Sequence, residues 1–560
     1  KTECSQALNA DSKAHFEVER YIWNENESEP SFAIGKCDLC GFEGEIQLTK
    51  EQIESLPPLP SINLSRARAL EKIDPRDSQL RAVMRDVTTY YTDRSMSLLQ
   101  TILNRIANPA IPARQKAYIH ALFLSAADRC NQLWSYPIGR NRPRQLSRPP
   151  VYQEYNLWLA LEEACHQWSV MTEPITFRYW PEKLPQSGGV CLFSGRLREC
   201  SPLPEPDLID IVYSNLPRRN QAWWNLSGLW SAWLWGRKGI KTLRNSLLKQ
   251  RYDWTWHATA LEKVFSRLKY MVRQSTPILM QISELDPLFL LAGTKAAQYA
   301  GFSLRTAAAS GNLNVLQTVW KFAPTQSNQV DNRRLQENAR QIARSFLTVR
   351  GEPSAYLRLF TQMVLTLQTQ GMLFQDEYSQ FTPPINKLIE DLDPVFTDQN
   401  LFIRYNPGVS TDSGSYWLRR PPENYIALAD SVESLIRQQF LYLNRQSAID
   451  INTAIFSGHP GLLTPGDELI QTILRSYANE ELINGESYWI LKENENFATR
   501  MMDIKALHEM IEKMASQLKL KRQLTEEAIY YLDEHDNELY TFFITGSAII
   551  SETLQRYKGL

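Results

Sequence analysis

Residues 207–252 decide the fold, and they begin D-L-I-D-I-V-Y-S-N-L-P-R-R-N-Q-A-W-W-N-L-S-G-L-W-S-A-W-L-W-G. The first part is a mostly apolar run at 208–213, which leads directly into a polar, proline-containing turn at 214–219. An apolar run that ends in such a turn predicts a buried parallel strand with a loop at its carboxyl end. Ligands of open α/β sheets bind at that end of the strands. The sequence therefore predicts an α/β sheet with a binding loop around Asn215 and Pro217.

The second part of this stretch combines positive charge with large flat rings. It has no acidic residue between Asp210 and Asp253. A polyanion with stacking bases requires a surface of this kind, so we predict nucleic-acid binding here. The cations are Arg218, Arg219, Arg237, Lys238, Lys241, Arg244, Lys249 and Arg251, and the tryptophans are Trp223, Trp224, Trp230, Trp233 and Trp235.

The spacing of the rings separates core candidates from surface candidates. Trp230 and Trp233 share one helix face with leucines, which predicts that they belong to the core. Trp223 and Trp224 lie next to the loop and are the better candidates for stacking on a base. We also predict that His257, on a later helix, is a packed core histidine.

The cations that follow the tryptophans have a helical spacing of three to four residues, which predicts one exposed stripe. The missing acids favour contact with DNA, and a simple solvated face is the alternative. The stripe consists of Arg237, Lys241 and Arg244.

A second acid-poor segment lies between Asp128 and Glu154. Prolines keep it extended, so Arg142 and Arg144 are predicted to project from a loop and to contact phosphates. A solvated loop, or a contact with acidic helices of the same protein, explains the segment equally well.

The whole chain sets limits on these predictions. Its 560 residues correspond to three or so domains at roughly 150 residues each. The net charge is −1, so any nucleic-acid surface must be local. No apolar run reaches about 18 residues, which excludes a predicted membrane helix. Seven scattered cysteines argue against a disulfide framework and favour a reducing cytoplasm. Because the first residue is Lys1, we expect the chain to begin inside a longer protein.

The pattern along the chain predicts an α/β plus α-helical protein with four regions. They are a zinc-ribbon-like unit at 1–56, a helical insertion at 61–185, an α/β core at 186–322 and a mostly helical accessory or recognition region at 323–560.

The first region contains Cys37-Asp38-Leu39-Cys40-Gly41, a knuckle in which two thiolates face one zinc ion. Cys4 is a plausible third ligand, and the fourth is His15 or a residue before Lys1. A degenerate ribbon without metal and a redox pair remain alternatives.

The loop at Asn215-Leu216-Pro217-Arg218 suits a specific chemistry. An amino-group methylase must hold an exocyclic amine with one side-chain acceptor and one prolyl-turn carbonyl, while a ring stacks on the flipped base. Asn215 and Pro217 fit the pattern [DNS]-P-P-[YFW], whereas Leu216 replaces a proline and Arg218 replaces the ring. An ordinary strand-to-loop turn is the alternative.

From residue 186 the elements alternate as strand, strand, helix, strand, helix and a terminal hairpin. This order resembles the second half of a methyltransferase-type doubly wound sheet. The Gly-rich F-x-G-x-G turn that would approach the methionine end of the cofactor does not occur in the sequence.

With its C-x-x-C ribbon, Tyr91-Thr92-Asp93-Arg94 helix, Ser194-Gly195-Arg196 strand end and Asn215 loop, the chain resembles the zinc-ribbon-containing adenine-specific DNA methylases. The resemblance implies a partial Rossmann-like sheet, S-adenosylmethionine as cofactor, double-stranded DNA as partner and, for several relatives, phage defence or modification. It also implies that Ser194, Gly195 and Asn215 bind the cofactor. The missing Gly-rich loop would come from an upstream segment or a second chain.

These predictions leave three functions open. The first is adenine-N6 methylation of DNA, and the second is an inactive methyltransferase-like subunit that binds DNA or serves as a scaffold. The third is methylation or binding of RNA, because rings and arginines do not distinguish the two polymers.

Overall fold

The computed structural model groups the chain into two units. The first comprises Lys1–Ser194 with Arg218–Tyr252, and the second comprises Gly195–Pro217 with Asp253–Leu560. Residues 186–194 and 218–252, which the sequence places in the α/β core, group with the first unit. The described residues are 16–25, 27, 29–37, 41–54, 62–137, 142–170, 175–183, 185–195, 197–200, 209–218, 220–248, 253–311, 315–324, 330–373, 385–422, 425–441, 443–483, 485–493, 495, 497–525 and 528–546.

The first unit contains an antiparallel sheet and a helical bundle. The sheet has the order β3-β2-β1-β4, and a separate parallel pair joins β5 and β6. Gly35 permits a close strand crossing, because a Cβ there would lie 1.9 Å from the Glu17 carbonyl oxygen. The elements are β1 (Phe16–Asn24), β2 (Phe32–Cys37), β3 (Glu43–Gln47), α1 (Lys50–Glu54), α2 (Ile62–Glu71), α3 (Ser78–Thr88), α4 (Asp93–Ile106), α5 (Ala113–Arg129), β4 (Val151–Tyr155), α6 (Leu157–Ser169), β5 (Phe177–Tyr179), β6 (Val190–Leu192), α7 (Gln221–Lys241) and α8 (Arg244–Leu247).

Helix α7 lies in the core of this unit. Trp230 and Trp233 are 3% and 1% exposed, so their predicted burial is confirmed. The indole N–H of Trp230 donates to the Tyr91 hydroxyl (2.8 Å), and that of Trp233 donates to the Ala69 carbonyl (3.0 Å). Each buried ring nitrogen therefore has a partner, as burial of an indole requires.

Helix α7 is kinked at Gly236, which adopts φ 64° and ψ −153°. This backbone region is essentially restricted to glycine. The ammonium group of Lys72 donates to the Trp233 carbonyl (2.6 Å) just before the kink. The tryptophans thus precede the kink, and the cations from Arg237 onward follow it.

The second unit is built around a four-stranded sheet of order β7-β8-β10-β9. Strand β7 runs parallel to β8, while β10 is antiparallel to β8 and β9. The strands are β7 (Val212–Asn215), β8 (Ile278–Ser283), β9 (Phe302–Ala309) and β10 (Val315–Phe322), and the helices between them are α9 (Trp254–Lys269) and α10 (Pro287–Tyr299).

The rest of the second unit is mixed helix and small antiparallel sheets, with orders β11-β13-β12, β14-β16-β15 and β17-β18-β19. Helices α11 and α12 pack against the four-stranded sheet in one hydrophobic core. The elements are α11 (Asn332–Arg350), β11 (Ser354–Ala355), α12 (Tyr356–Thr369), α13 (Ile385–Phe396), β12 (Phe402–Tyr405), β13 (Ser415–Leu418), α14 (Leu428–Gln439), β14 (Arg445–Ser447), α15 (Ala448–Gly458), α16 (Asp467–Tyr477), β15 (Ala478–Ile483), β16 (Glu486–Leu491), α17 (Phe497–Gln517), β17 (Lys521–Leu524), β18 (Ile529–Leu532) and β19 (Glu538–Phe542).

The predicted mixture of α/β and helical structure is confirmed at this level. One local prediction was wrong. The strand expected at 208–213 occupies Val212–Asn215, and it is half-buried because it is the end strand of the sheet. Within the part of the chain that the structure describes, no helix has the length and apolarity needed to cross a bilayer.

Candidate functional site

The Asn215 turn, residues 215–217, follows β7 at the carboxyl end of the sheet. The Leu216 amide donates to the Gln281 carbonyl (2.8 Å) and so continues the pairing with β8. The Leu216 side chain is buried against α10, where a Cβ at Gly293 would lie 2.7 Å from a Leu216 methyl carbon. The leucine that stands in place of a proline is therefore the apolar anchor of the turn.

His257 anchors the other end of the turn. Its Nε2 lies 3.0 Å from the Pro217 carbonyl oxygen, and since a carbonyl only accepts, this nitrogen carries the proton. The ring is 5% exposed and packs near Trp254 and Phe289, with centroid distances of 5.6 and 6.0 Å. The predicted packed histidine is confirmed, and its contact with Pro217 was not foreseen.

Between these two anchors, the Asn215 side chain is exposed. Among the described residues of the second unit, none forms a hydrogen bond with its carboxamide. The neighbouring Tyr213 hydroxyl instead donates to the Gln281 side-chain oxygen (2.7 Å). The backbone of the turn is anchored at Leu216 and Pro217, so the exposed Asn215 carboxamide is available to bind an external ligand.

In the first unit, Arg142 and Trp223 form one structure. The guanidinium of Arg142 lies 3.8 Å from the centre of the Trp223 ring and forms an ion pair with Asp128. Burial raises the pKa of Asp128 above its ordinary value, although Arg142 opposes the shift. Trp223 also packs edge-on against Trp230, with ring centroids 5.4 Å apart.

The Arg142 segment is docked on the first turn of α7. The Ala222 amide donates to the Arg144 carbonyl (3.0 Å), and the Asn220 side chain caps the helix by accepting from the Trp223 amide (2.8 Å). The Trp223 ring remains 39% exposed, whereas Trp224 is half-buried. The structure therefore brings Arg142, Arg144 and Trp223 together. No pattern in the sequence indicates this grouping.

The cations after the kink are not equivalent. Arg237 and Lys241 are exposed and form no ion pair with described residues. Arg244 forms a two-point ion pair with Asp77, in which its Nη2 lies 3.2 Å from Oδ1. This hydrogen bond raises the pKa of Arg244 and lowers that of Asp77. The two residues are 167 positions apart, and no sequence pattern connects them.

The remaining candidates are placed as follows. Ser194 and Gly195 are exposed and follow β6, which pairs with β5 and is not a strand of the four-stranded sheet. Arg218 is half-buried, and Arg219 lies outside the described residues.

The zinc prediction rests on residues that are only partly described. Cys37 is buried at the end of β2, and the Gly41 amide donates to its carbonyl (2.9 Å). Cys4 and Cys40 lie outside the described residues. Within the described ranges, no group of three or more His, Cys, Asp or Glu side chains could hold a metal ion.

Comparisons with known proteins found no matching family model, no matching curated protein and no matching solved structure.

Proposed function

We propose that the protein is a DNA-binding, methyltransferase-like protein that supplies the target-amine side of an S-adenosylmethionine-dependent adenine-N6 methylation. The single observation that carries this proposal is the exposed Asn215 carboxamide at the carboxyl end of a parallel strand. Its oxygen would accept one N–H of the exocyclic amine and would so orient the amine nitrogen.

The strand order supports the same proposal. Strands β7, β8 and β9 run in one direction, and the reversed strand β10 lies between β8 and β9. This arrangement resembles the second half of a methyltransferase-type sheet, where a terminal hairpin returns its last strand between two earlier ones. Ligands of such sheets bind beyond the carboxyl ends of the strands, where Asn215 lies.

The described residues do not build a cradle for S-adenosylmethionine. The sequence lacks the F-x-G-x-G turn, and Ser194 and Gly195 follow a strand outside the four-stranded sheet. In this proposal the cradle comes from a second chain or an upstream segment, and Asn215 contributes only the amine contact. A phage-defence or modification role remains an implication of the family resemblance.

The first test is methyl transfer to duplex DNA by the full-length protein, together with equilibrium binding of S-adenosylmethionine. We expect Asn215→Ala to lower kcat by about 100-fold or more, because it removes a contact made at the reacting group. Binding of the cofactor should be unchanged in this variant. Absence of both cofactor binding and methyl transfer in the unmodified protein would remove the catalytic proposal.

A catalytically inactive DNA-binding or scaffold subunit is the second candidate. It is favoured by the Pro217 carbonyl, which already accepts a hydrogen bond from His257. It is also favoured by Arg218, which stands where the pattern requires a ring. If this second candidate is correct, the protein binds DNA but transfers no methyl group, whichever partner is added to supply the cofactor site.

DNA binding is assigned to the first unit. Trp223, with Arg142 stacked on it, offers a ring for a base, and the exposed Arg237 and Lys241 offer contacts for phosphates. Trp223 lies on α7 before the Gly236 kink, and Arg237 and Lys241 lie after it. Phosphate contacts release counterions, so affinity falls with salt in proportion to their number.

The test is the salt dependence of binding to a DNA duplex. For the double variant Arg237→Glu with Lys241→Glu, we expect the slope of log affinity against log salt to fall by about 2. The matched control is Arg85→Glu with Arg105→Glu, which changes the same charge at two exposed positions on α3 and α4. Equal slopes for the two double variants would place the nucleic acid elsewhere. Tighter binding of single-stranded RNA than of duplex DNA would favour the RNA alternative.

A further inference from the structure

The second unit contains a cavity of about 670 Å³ between α11 and α12, away from the Asn215 turn. Strand β9 contributes to its lining, and residues 460–463 form another part of the wall. Small-molecule sites commonly have volumes of roughly 300–1,000 Å³, so this cavity has the size of a ligand site.

Both helices turn a mixed face toward the cavity. On α11 the polar lining residues Asn338, Gln341 and Ser345 follow a spacing of three and four residues. On α12 the residues Gln362, Thr366 and Thr369 do the same. Residues with this spacing share one side of a helix, so each wall carries a row of carboxamides and hydroxyls.

Every described residue that lines the cavity is uncharged. The cavity is partly open to solvent, and no side chain in its described lining carries a charge that could pair with a phosphate, a carboxylate or an ammonium group. A neutral ligand therefore suits this lining better than a charged one.

Several donors of the polar rows are already used. The Asn338 amide nitrogen donates to the Arg334 carbonyl (2.8 Å), and the Gln362 amide nitrogen donates to the Thr366 hydroxyl (3.0 Å). The Thr369 hydroxyl donates to the Thr366 carbonyl (2.7 Å). Each of the two amides keeps its carbonyl oxygen and a second N–H, so these walls offer both acceptors and donors.

Two further polar side chains belong to the lining on α11. Gln341 and Ser345 are exposed and form no hydrogen bond with the described residues, so their donors and acceptors are both open. A fitting ligand thus carries N–H donors and some acceptors.

The end wall of the cavity is held in place by buried arginines. Arg358 and Arg350 are 4% and 6% exposed, and both donate to the Leu462 carbonyl, at 2.7 and 3.1 Å. Gly461 has φ 70°, and a Cβ there would lie 2.9 Å from the Ala307 carbonyl oxygen. The wall is therefore fixed before any ligand arrives, which reduces the cost of ordering it on binding.

We propose that this cavity binds an uncharged nucleobase or nucleoside. The ring faces contact the apolar lining residues Ile342, Leu365 and Leu462, and the exocyclic amine donates to the carboxamide oxygens. Carboxamides are the side chains that pair with the donor and acceptor edge of adenine. The inference goes beyond the proposed function and does not depend on Asn215.

The test is calorimetric titration of the full-length protein with adenosine and with adenosine monophosphate. We expect saturable binding of adenosine and at least about tenfold weaker binding of the monophosphate, because the lining has no cation. Gln341→Leu combined with Gln362→Leu should raise the Kd for adenosine by about tenfold or more, since two hydrogen bonds to the ligand are lost.

Two controls keep the test decisive. Gln438→Leu makes the same change at an exposed position on α14 outside the cavity lining and should leave the Kd unchanged. Ser345→Phe should narrow the cavity and weaken adenosine binding, while the melting temperature stays near that of the unmodified protein because Ser345 is exposed. The proposal would be overturned by no adenosine binding at millimolar concentration, by an unchanged Kd in the double variant, or by tighter binding of the monophosphate or of a blocked dipeptide.

Discussion

Two short motifs, Tyr91–Arg94 of the first unit and the Asn215 turn of the second, use their polar groups in opposite ways. At the first motif every polar side chain is bonded inside the protein. At the second motif the apolar residue is buried and the polar one faces outward. The comparison shows what separates a structural element from a candidate site. The polar groups of a structural element form hydrogen bonds inside the protein, whereas those of a candidate site remain open to an external partner.

The bonds of the first motif converge on a buried carboxylate. The Thr92 hydroxyl accepts from the Ser95 amide as the N-cap of α4 and donates to Glu154 (2.6 Å). Arg94 forms an ion pair with the same carboxylate (3.6 Å), and Trp23 donates to it (3.2 Å). Three side chains of the first unit thus contact the Glu154 carboxylate inside the protein.

Glu154→Ala should have the largest effect on stability. The substitution leaves the buried Thr92 hydroxyl and the half-buried Arg94 and Trp23 groups without their partner, and breaking a network around a buried carboxylate costs about 3–5 kcal/mol. The measurement is the free energy of unfolding of the first unit by denaturant titration. A loss below about 1 kcal/mol would show that these contacts contribute less to stability than their geometry indicates.

Leu216→Ala should come next, in the second unit. Removing a buried leucine side chain from its contact with α10 costs about 2–5 kcal/mol. Leu216→Met keeps the volume and should cost less than about 1.5 kcal/mol. Calorimetric melting of both variants checks the difference, and equal losses would mean that the turn is not anchored by leucine packing.

The pH dependence of the first unit sharpens the comparison further. Burial raises the pKa of Glu154 above its ordinary value of 4.5. The folded protein therefore holds this proton to higher pH than the unfolded chain, and its stability falls as pH rises from about 4.5 through the folded pKa.

Glu154→Gln should remove this part of the pH dependence while keeping an acceptor for Thr92. The measurement is the melting temperature of the unmodified protein and of the variant at a series of pH values. Each unit of raised pKa corresponds to about 1.4 kcal/mol. Parallel curves for the two proteins would contradict the assignment.

Asn215→Ala should have the smallest effect on stability, within about 0.5 kcal/mol, because an exposed side chain without internal partners is removed. The same denaturant titration checks it. A loss above about 1.5 kcal/mol would mean that the carboxamide supports the fold, and the comparison between the two motifs would then fail.

Local patterns predicted much of the fold. The predicted terminal hairpin is present as the antiparallel strands β9 and β10, and α4 begins after Thr92, which caps it. Helical periodicity also identified the buried faces of Trp230 and Trp233. These features depend on neighbours within a few residues, which the sequence displays directly.

The site was less predictable, because its contacts join distant residues. The position of β7 at the end of the sheet, which shifted the predicted strand by several residues, depends on pairing with β8 far along the chain. The contacts of Arg244 with Asp77 and of His257 with Pro217 likewise have no local signal. The methyltransferase and DNA assignments remain predictions for the experiments above, and the zinc site remains a prediction that rests partly on residues outside the described ranges.

The kink at Gly236 determines where the positively charged end of α7 points. A Cβ at this position would meet no atom within 4 Å, so the constraint on residue 236 is one of backbone conformation and not of space. Gly236→Ala would favour a continuous straight helix. Arg237, Lys238 and Lys241 would then take different positions relative to the tryptophan rings. The backbone conformation of this one glycine thus sets the direction of the positively charged end of α7.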